Sequence, residues 1–354
     1  MSEPVNDKIE MKGTVFCCGE ILLRFSPELG REWIKNGQVP VYVGGAELNV
    51  ATALSKWNIP SKYFTAIPDN YLGKEIIEDI RSKKIDVSSI HLSGNRIGSY
   101  YLPQGADMKN AGVIYDRAHS SFSELKPGMI DWNKVLEGCS WFHFSAISPA
   151  LNADAALVCQ EALEAASAKG LTISVDLNYR AKLWQYGKQP VEVMPSLVQY
   201  CDVLMGNIWA VEQLLGIGSP LKDSIGKRQE DLIQASHQSM QQLELRFPKL
   251  HSMAFTFRMD HAYFATLKHL KETAISRVFL LDNIIDKVGS GDCFMGGLIR
   301  GLYKKLAPKE VIDFAAAAAV SKMQVKGDAT TKTETDILAF LDQHTSVSSF
   351  SAMK

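Results

Sequence analysis

The chain has 354 residues, of which 46% are hydrophobic and 22% charged, a composition typical of a globular protein that buries a sizeable core. Its 38 basic and 39 acidic residues leave a formal net charge of -1, so no overall positive field favours binding to nucleic acid or an anionic membrane. No apolar stretch approaches the roughly 20 residues that span a bilayer, and the polar segment 1–12 lacks the pattern of a secretory signal.

Short β-type runs alternate with helical runs along most of the chain, a pattern that predicts an α/β fold with a mostly parallel sheet. The clearest predicted strands are 14–18, 141–148, 172–175, 203–205 and 253–257. Helical spacing or helix stop signals predict helices over 152–169, 191–200 and 231–247. Six cysteines without paired spacing predict reduced thiols in a cytoplasmic protein and no structural zinc.

Two segments interrupt this alternation, about 22–43 and 97–118, where aromatic and β-branched residues are broken by Pro, Gly and Asn turns. We interpret them as the strands of one small lid outside the main sheet, within a single domain over 13–345. The alternative is a pair of long surface loops, which would leave large side chains such as Tyr42 and Tyr101 exposed to solvent. The Ser-rich segment 346–354 is predicted to be a flexible tail.

A Gly289-Ser290-Gly291-Asp292 turn stands directly before an apolar helical run that reaches about Leu306. Such a turn presents free backbone N–H groups at the positive end of a helix dipole, which suits a phosphate group. Asp292 could then accept a proton from an attacking hydroxyl. The alternative is a helix cap with glycines for close packing. The turn does not fit a dinucleotide-binding fingerprint, and the chain has no P-loop motif.

Two further segments place ligand-binding residue types near predicted element ends. Gly44-Gly45 precedes a helical pattern in which Asn49 can both donate to and accept from sugar hydroxyls, although an ordinary helix start would look the same. Asp176, Asn178 and Arg180 follow a predicted strand, where ligands bind in open α/β sheets. A solvated ion pair is the alternative for this second group.

In this order, together with the segment that begins at Asn207, these motifs resemble the PfkB, or ribokinase, family of carbohydrate kinases over nearly the whole chain. The resemblance implies a ribokinase-like three-layer α/β/α core, a β-sheet lid over the sugar, and ATP with Mg²⁺ as cofactors. It implies Asp292 as the catalytic base, with Gly289, Ser290 and Gly291 as its anion hole. The implied nucleotide-site residues are Asn178, Arg180, Asn207, Thr256, Gly289 and Gly291.

Within the family, the chain resembles the kinases of 2-keto-3-deoxygluconate, which implies phosphorylation of the terminal hydroxyl of a 2-keto sugar acid. Arg117 and Arg180 would face the substrate carboxylate, which a guanidinium binds with two parallel hydrogen bonds. We expect a neutral substrate to leave both buried charges unpaired. The implied substrate residues are Gly44, Gly45, Asn49, Tyr100, Tyr115, Arg117, Arg180, Asp292 and Asp328.

The chain departs from the family pattern at two places, one that leaves the metal ligands unknown and one that bears on the nucleotide contacts. Ala210 stands where an acid usually falls, with Glu212 two residues further on, and the turn after Thr256 has no glycine. A fructokinase or another neutral-sugar or nucleoside kinase of the same fold is one alternative. A catalytically silent sugar-binding regulatory protein is another, and the two departures motivate it. The expected partners are the sugar acid and ATP, together with further copies of the chain in a homodimer or larger assembly, because a lid with an exposed apolar face usually needs a partner.

Overall fold

The computed structural model describes residues 13–28, 33–35, 37–104, 112–259 and 261–344, so the predicted tail lies outside the described residues. The described strands are β1 Thr14–Cys18, β2 Leu22–Phe25, β3 Val41–Gly44, β4 Ser61–Phe64, β5 Ala66–Ile67, β6 His91–Leu92, β7 Gly98–Tyr101, β8 Ile114–Asp116, β9 Cys139–Ser145, β10 Thr172–Asp176, β11 Val203–Gly206, β12 Ser252–Arg258, β13 Ala262–His269, β14 Glu272–Ile275 and β15 Phe279–Leu280. The described helices are α1 Ala46–Lys56, α2 Tyr71–Ser82, α3 Trp132–Val135, α4 Ala153–Ala168, α5 Pro190–Val198, α6 Ile208–Leu215, α7 Gln229–Arg246, α8 Ser290–Tyr303, α9 Pro308–Met323 and α10 Glu334–Gln343.

The large sheet runs in the order β14-β13-β12-β11-β10-β9-β1-β4, with β15 paired to β13. All pairs from β12 to β4 are parallel, whereas β13 pairs antiparallel with β12, β14 and β15. Side chains alternate between the two faces of a strand, so Phe16 of β1 contacts one apolar core and Val15 the other. The core of Phe16 includes residues of α3 to α7, and that of Val15 includes residues of α1, α2 and α8 to α10. The predicted three-layer α/β/α fold is confirmed.

Most of the predicted elements occur with shifts of one or two residues at their ends. Strand 141–148 is wrong at its carboxyl end, because β9 stops at Ser145 and the chain enters a short 3-10 turn at Ser148–Ala150. Pro149 lies in that turn and has no N–H to donate to a strand ladder. Within the described ranges, no helix is both long enough and apolar enough to cross a membrane.

The small sheet has the order β3-β2-β7-β8 and is separate from the large one, as the sequence predicts. The Arg24 side chain on β2 fastens it to the rest of the molecule: Nε donates to Asp328 Oδ1 and NH2 to Asp286 Oδ2, each at 2.7 Å. Val41 and Ile114 at the sheet's edges are about half exposed, and the homo-oligomer expected from such a surface stays a prediction. The single-domain boundaries also stay a prediction.

Helices α8 and α9 approach each other closely at Gly297. A Cβ atom on Gly297 would lie 2.7 Å from the Cα of Ala315 and 3.2 Å from its Cβ. Backbone atoms cannot move aside as a flexible side chain can, so the glycine permits this helix contact.

We expect Gly297→Ala to lower the free energy of unfolding by about 1 kcal/mol, because overpacking of roughly 1–3 kcal/mol exceeds the gain of just under 1 kcal/mol in helix propensity. Urea denaturation measures the change. Gly218→Ala is the control, since nothing lies within 4 Å of a Cβ there, and should change stability by no more than about 0.5 kcal/mol. A stabilised Gly297→Ala variant would contradict the close contact.

Candidate active site

A cavity of about 770 Å³ lies where the parallel strands of the large sheet end, and it is bordered by the small sheet. The end of β10 and the loop after it contribute Asp176 to Lys182, and the end of β11 with the residue after it contributes Met205 to Asn207. Tyr100 and Tyr115 of the small sheet line it too, as does the turn that opens α8. This is the position at which open α/β sheets bind ligands.

The turn that opens α8 can be built only with glycine at Gly289. Its φ is 78°, and a Cβ there would lie 1.7 Å from the main-chain oxygen of Asp328. At Gly291, by contrast, no atom lies within 4 Å of where a Cβ would be, so this residue borders the open cavity. The first N–H groups of a helix lack partners within the helix, so the start of α8 offers donors to an anion.

Asp292 lies in the first turn of α8 and is 8% exposed. Asn49 of α1 donates from Nδ2 to Asp292 Oδ2 at 2.7 Å. Burial raises the pKa of Asp292 to about 6, against the opposing effects of the Asn49 hydrogen bond and the Arg180 charge. A carboxylate with this pKa is mostly ionised at neutral pH, yet binds a proton more readily than an exposed one.

Glu47 is a second buried acid on the cavity wall, and the sequence interpretation missed it. The Ser145 N–H and hydroxyl donate to Glu47 Oε1 at 2.9 and 2.6 Å. Burial raises its pKa to about 7, and the nearby charge of Asp292 acts in the same direction. Glu47 lies two residues after Gly45, in the first turn of the predicted helix, and this position could have identified it.

Asp328 is held by the small sheet. Tyr100 donates its hydroxyl to Oδ2 at 3.0 Å, while Arg24 binds Oδ1. Burial raises the pKa of Asp328, and the Arg24 charge opposes that rise. A Cβ on Gly44 would lie 2.2 Å from Asp328 Oδ2, so Gly44 allows the close approach; it is not among the described residues that line the cavity. Gly45, with φ of 140°, does line it.

Arg117 lines the cavity but is already paired. Its Nε donates to Glu20 Oε2 at 2.7 Å, and Ser120 donates its hydroxyl to the other carboxylate oxygen. Arg117 is 6% exposed, so this is a buried ion pair. The expectation that a neutral substrate would leave Arg117 unpaired is therefore wrong. Glu20 follows β1, and the rule for strand ends that singled out Asp176 would have found it.

Arg180 is partly buried and lies at the same cavity as Asp292. Its NH1 donates to the main-chain oxygen of Tyr179 at 3.0 Å, and its charge lowers the pKa of Asp292. The structure thus brings one arginine into a neutralised pair and places the other where its charge acts on the buried acid. Arg117 offsets the charge of Glu20, whereas the Arg180 charge lowers the pKa of Asp292.

The residues predicted for the nucleotide also line the cavity. They are Asn178, Arg180, Asn207, Thr256, Gly289 and Gly291. Asn207 caps α6, where its Oδ1 accepts from the Ala210 N–H at 2.8 Å. Glu212 is exposed and does not line the cavity, because residues two apart on a helix face different directions. It therefore does not replace the acid missing at Ala210.

The described part of the cavity has open backbone at the glycine turn but no cluster of side chains that would hold a metal ion by itself. The described residues contain no group of three His, Cys, Asp or Glu side chains that could hold a metal ion. Magnesium is usually held by substrate phosphates, water and one or two carboxylates, so it does not require such a group. The open backbone at Gly291 is a place where phosphate oxygens could accept hydrogen bonds.

Residues 12–336 match the family described as pfkB family carbohydrate kinase. The chain belongs to this family and is a carbohydrate kinase, a phosphotransferase. It is similar to a solved 2-dehydro-3-deoxygluconokinase from Thermotoga maritima, with 32% identity, coverage of 94% of this chain and 98% of that chain, and a TM-score of 0.83.

Curated relatives have related names. A 2-dehydro-3-deoxygalactonokinase of Haloferax volcanii is 27% identical over 313 residues, which cover 88% of this chain and 91% of the relative. A 2-dehydro-3-deoxygluconokinase of Bacillus subtilis is 24% identical, with coverage of 81% and 82%. The family resemblance seen in the sequence motifs is confirmed.

We expect Gly291→Val to fold normally and to abolish activity, because its side chain would occupy the open space that borders the backbone N–H groups of α8. Circular dichroism and thermal unfolding check the fold, and a coupled assay of ADP release checks the activity. An active, folded variant would remove the anion hole from the mechanism. Gly289→Ala is the matched comparison, and it should lose stability as well, since its Cβ would collide with the Asp328 backbone.

Proposed function

We propose that this kinase transfers the terminal phosphate of ATP to the terminal hydroxyl of a 2-keto sugar acid, most simply 2-keto-3-deoxygluconate. The observation that carries the proposal is the placement of Asp292, a buried carboxylate beside the open glycine turn at the start of α8. The names of the Thermotoga maritima and Haloferax volcanii relatives support an acidic sugar as the acceptor.

Asp292 acts as the general base in this proposal. Its carboxylate accepts the proton of the acceptor hydroxyl as that oxygen attacks the terminal phosphorus of ATP, and ADP leaves. Asn49 orients the carboxylate through the 2.7 Å hydrogen bond to Oδ2. The backbone N–H groups of Gly289 to Gly291 stabilise the negative charge of the transferring phosphoryl group. Bound Mg²⁺ would supply further charge neutralisation, with no ligand assigned among the protein side chains.

Arg180 is the proposed partner of the substrate carboxylate. It lies at the cavity on the loop after β10, and a guanidinium matches a carboxylate in both charge and geometry. Tyr100 and Asp328 border the same cavity with a hydroxyl and a carboxylate that can bind sugar hydroxyls. Arg117 contributes a second guanidinium whose charge Glu20 already balances.

A neutral-sugar kinase is the second candidate, and one observation favours it. The Glu20–Arg117 pair satisfies one of the two arginines without any substrate, so an uncharged acceptor would not leave Arg117 buried without a partner. The fold, the base and the anion hole are the same in both readings. Turnover of a panel of sugars and sugar acids with ATP and magnesium decides between them.

We expect Asp292→Asn to lower turnover by roughly 100- to 10,000-fold, the usual contribution of a positioned base, with nearly unchanged ATP affinity in calorimetry. The carboxylate is the active form and its pKa is about 6, so kcat/KM of the wild type should fall as the pH drops below that value. Asp342→Asn, at an exposed position, is the control. Turnover within a few-fold of wild type would make Asp292 only a helix cap.

We expect Arg180→Ala to weaken binding of the sugar acid by about 2–5 kcal/mol, because the desolvated carboxylate loses its partner. Arg180→Lys should restore only part of this loss, since an ammonium lacks the two-pronged geometry. Affinity for ATP should change little in calorimetry. The measurements belong at about pH 8, because loss of the Arg180 charge also raises the pKa of Asp292.

Fructose is the matched neutral acceptor for this comparison. A wild-type enzyme that prefers fructose would contradict the sugar-acid assignment. So would an Arg180→Ala substitution that weakens both acceptors equally, and the neutral-sugar reading would then take its place.

A further inference from the structure

Lys322 is a fully buried lysine in the last turn of α9, with 0% of its surface exposed. Lysine is almost never fully buried unless its charge has partners. Its acceptors among the described residues are two main-chain carbonyls: Nζ donates to Asp286 O at 3.3 Å and to Val325 O at 3.2 Å. Burial lowers the pKa of Lys322, while the charges of Asp286 and Asp328 oppose that change.

The two carbonyls belong to two different loops. One leads into the glycine turn, and the other follows α9 and packs against that turn. Asp286 precedes the turn, and Val325 lies between α9 and Asp328. The Asp286 carboxylate joins the same loops, since Oδ1 accepts from the Val288 N–H at 3.0 Å and Oδ2 from the Gly327 N–H at 3.2 Å. The Lys322 side chain also lies directly behind the turn, with Cε 3.4 Å from the position of a Cβ on Gly289.

The charge of Lys322 acts on Asp292, the proposed base. It lowers the pKa of Asp292, as the Arg180 charge does, whereas Asp328 raises it. The groups that face Asp292 are Asn49 and Glu47 from α1, Arg180 from the loop after β10, Lys322 from α9 and Asp328 from the loop after α9. The groups that face Lys322 are Asp286 and Cys293 near the start of α8, Asp328, and Arg24 from β2.

We propose that Lys322 is a positioning residue that serves as a built-in cation behind the anion hole. Its ammonium joins the loops of Asp286 and Val325 and thereby fixes the turn at Gly289, while its charge favours the carboxylate form of Asp292. This inference rests on the proposed function, since it assigns Lys322 a task in the same phosphoryl transfer. Lys322 touches neither the acceptor nor the nucleotide in this arrangement.

The test compares Lys322→Met and Lys322→Gln with wild type. Met removes the charge and the donors, whereas Gln keeps N–H donors without the charge. We expect both to lower kcat/KM at least tenfold near pH 8. The loss should be several-fold larger near pH 5.5, because removal of a positive charge raises the pKa of Asp292. Lys322→Arg, which keeps a cation, should show the wild-type pH dependence.

Lys326→Met is the matched control, since it removes the same charge from an exposed side chain four residues further on, in the loop after α9. Its pH dependence should equal that of wild type. Neutral Lys322 variants that lose activity by the same factor at every pH would overturn the electrostatic role. The pH dependence of kcat/KM is measured with whichever acceptor the wild type phosphorylates. A wrong acceptor assignment would therefore change the substrate of the assay but not the expected rise in the pKa of Asp292.

A second measurement does not depend on turnover, so it also serves if a variant does not fold or if no tested acceptor is phosphorylated by the wild type. Thermal unfolding and refolding of Lys322→Ala are followed by circular dichroism with methylammonium or tetramethylammonium chloride at equal ionic strength. The small cation can donate to the two carbonyls, whereas the larger one has no N–H. A melting temperature or refolded fraction that recovers with methylammonium alone supports the proposal. Equal behaviour in the two salts overturns it.

Discussion

The site depends on the contact between Gly289 and Asp328. A Cβ on Gly289 would lie 1.7 Å from the Asp328 main-chain oxygen, so the loop after α9 rests directly against the turn that opens α8. The carboxylate of Asp328 in turn binds Arg24 and Tyr100 of the small sheet. One residue therefore joins the glycine turn to the strands that border the cavity, so a shift of the small sheet would also move the turn.

Buried charge is the cost of this arrangement. Asp292, Glu47 and Asp328 are all buried acids, and burial is the largest cause of the raised pKa in each. Cations and amide donors offset the penalty, among them Arg24 at Asp328 and Asn49 at Asp292. Removal of one partner would leave an uncompensated charge in the interior, which is far less favourable than the intact pair. These side chains are thus constrained by stability as well as by chemistry.

The two cavity arginines show how local environment divides similar residues. Arg117 forms a buried ion pair with Glu20. The charge of Arg180, at the same cavity, lowers the pKa of Asp292. In the proposed function a guanidinium at the cavity binds the carboxylate of the acceptor, and Arg180 is the residue given this role. Exposed Glu212 does not replace the acid missing at Ala210, so the proposed function assigns no protein side chain to magnesium.

Local patterns in the sequence were enough for the α/β fold, the separate small sheet and the glycine turn, because strand alternation, helix signals and turn residues act over a few positions. The site residues implied by the family resemblance line the cavity, with the exception of Gly44, which packs against Asp328. The sequence did not reveal the partners of the buried charges. Glu20 and Arg117 are 97 residues apart in the sequence, and Arg24 and Asp328 are 304 residues apart. Such ion pairs form only when the packed sheets bring distant segments together. Tertiary structure alone decided which charges were neutralised, because desolvation depends on every surrounding element and not on the neighbouring sequence.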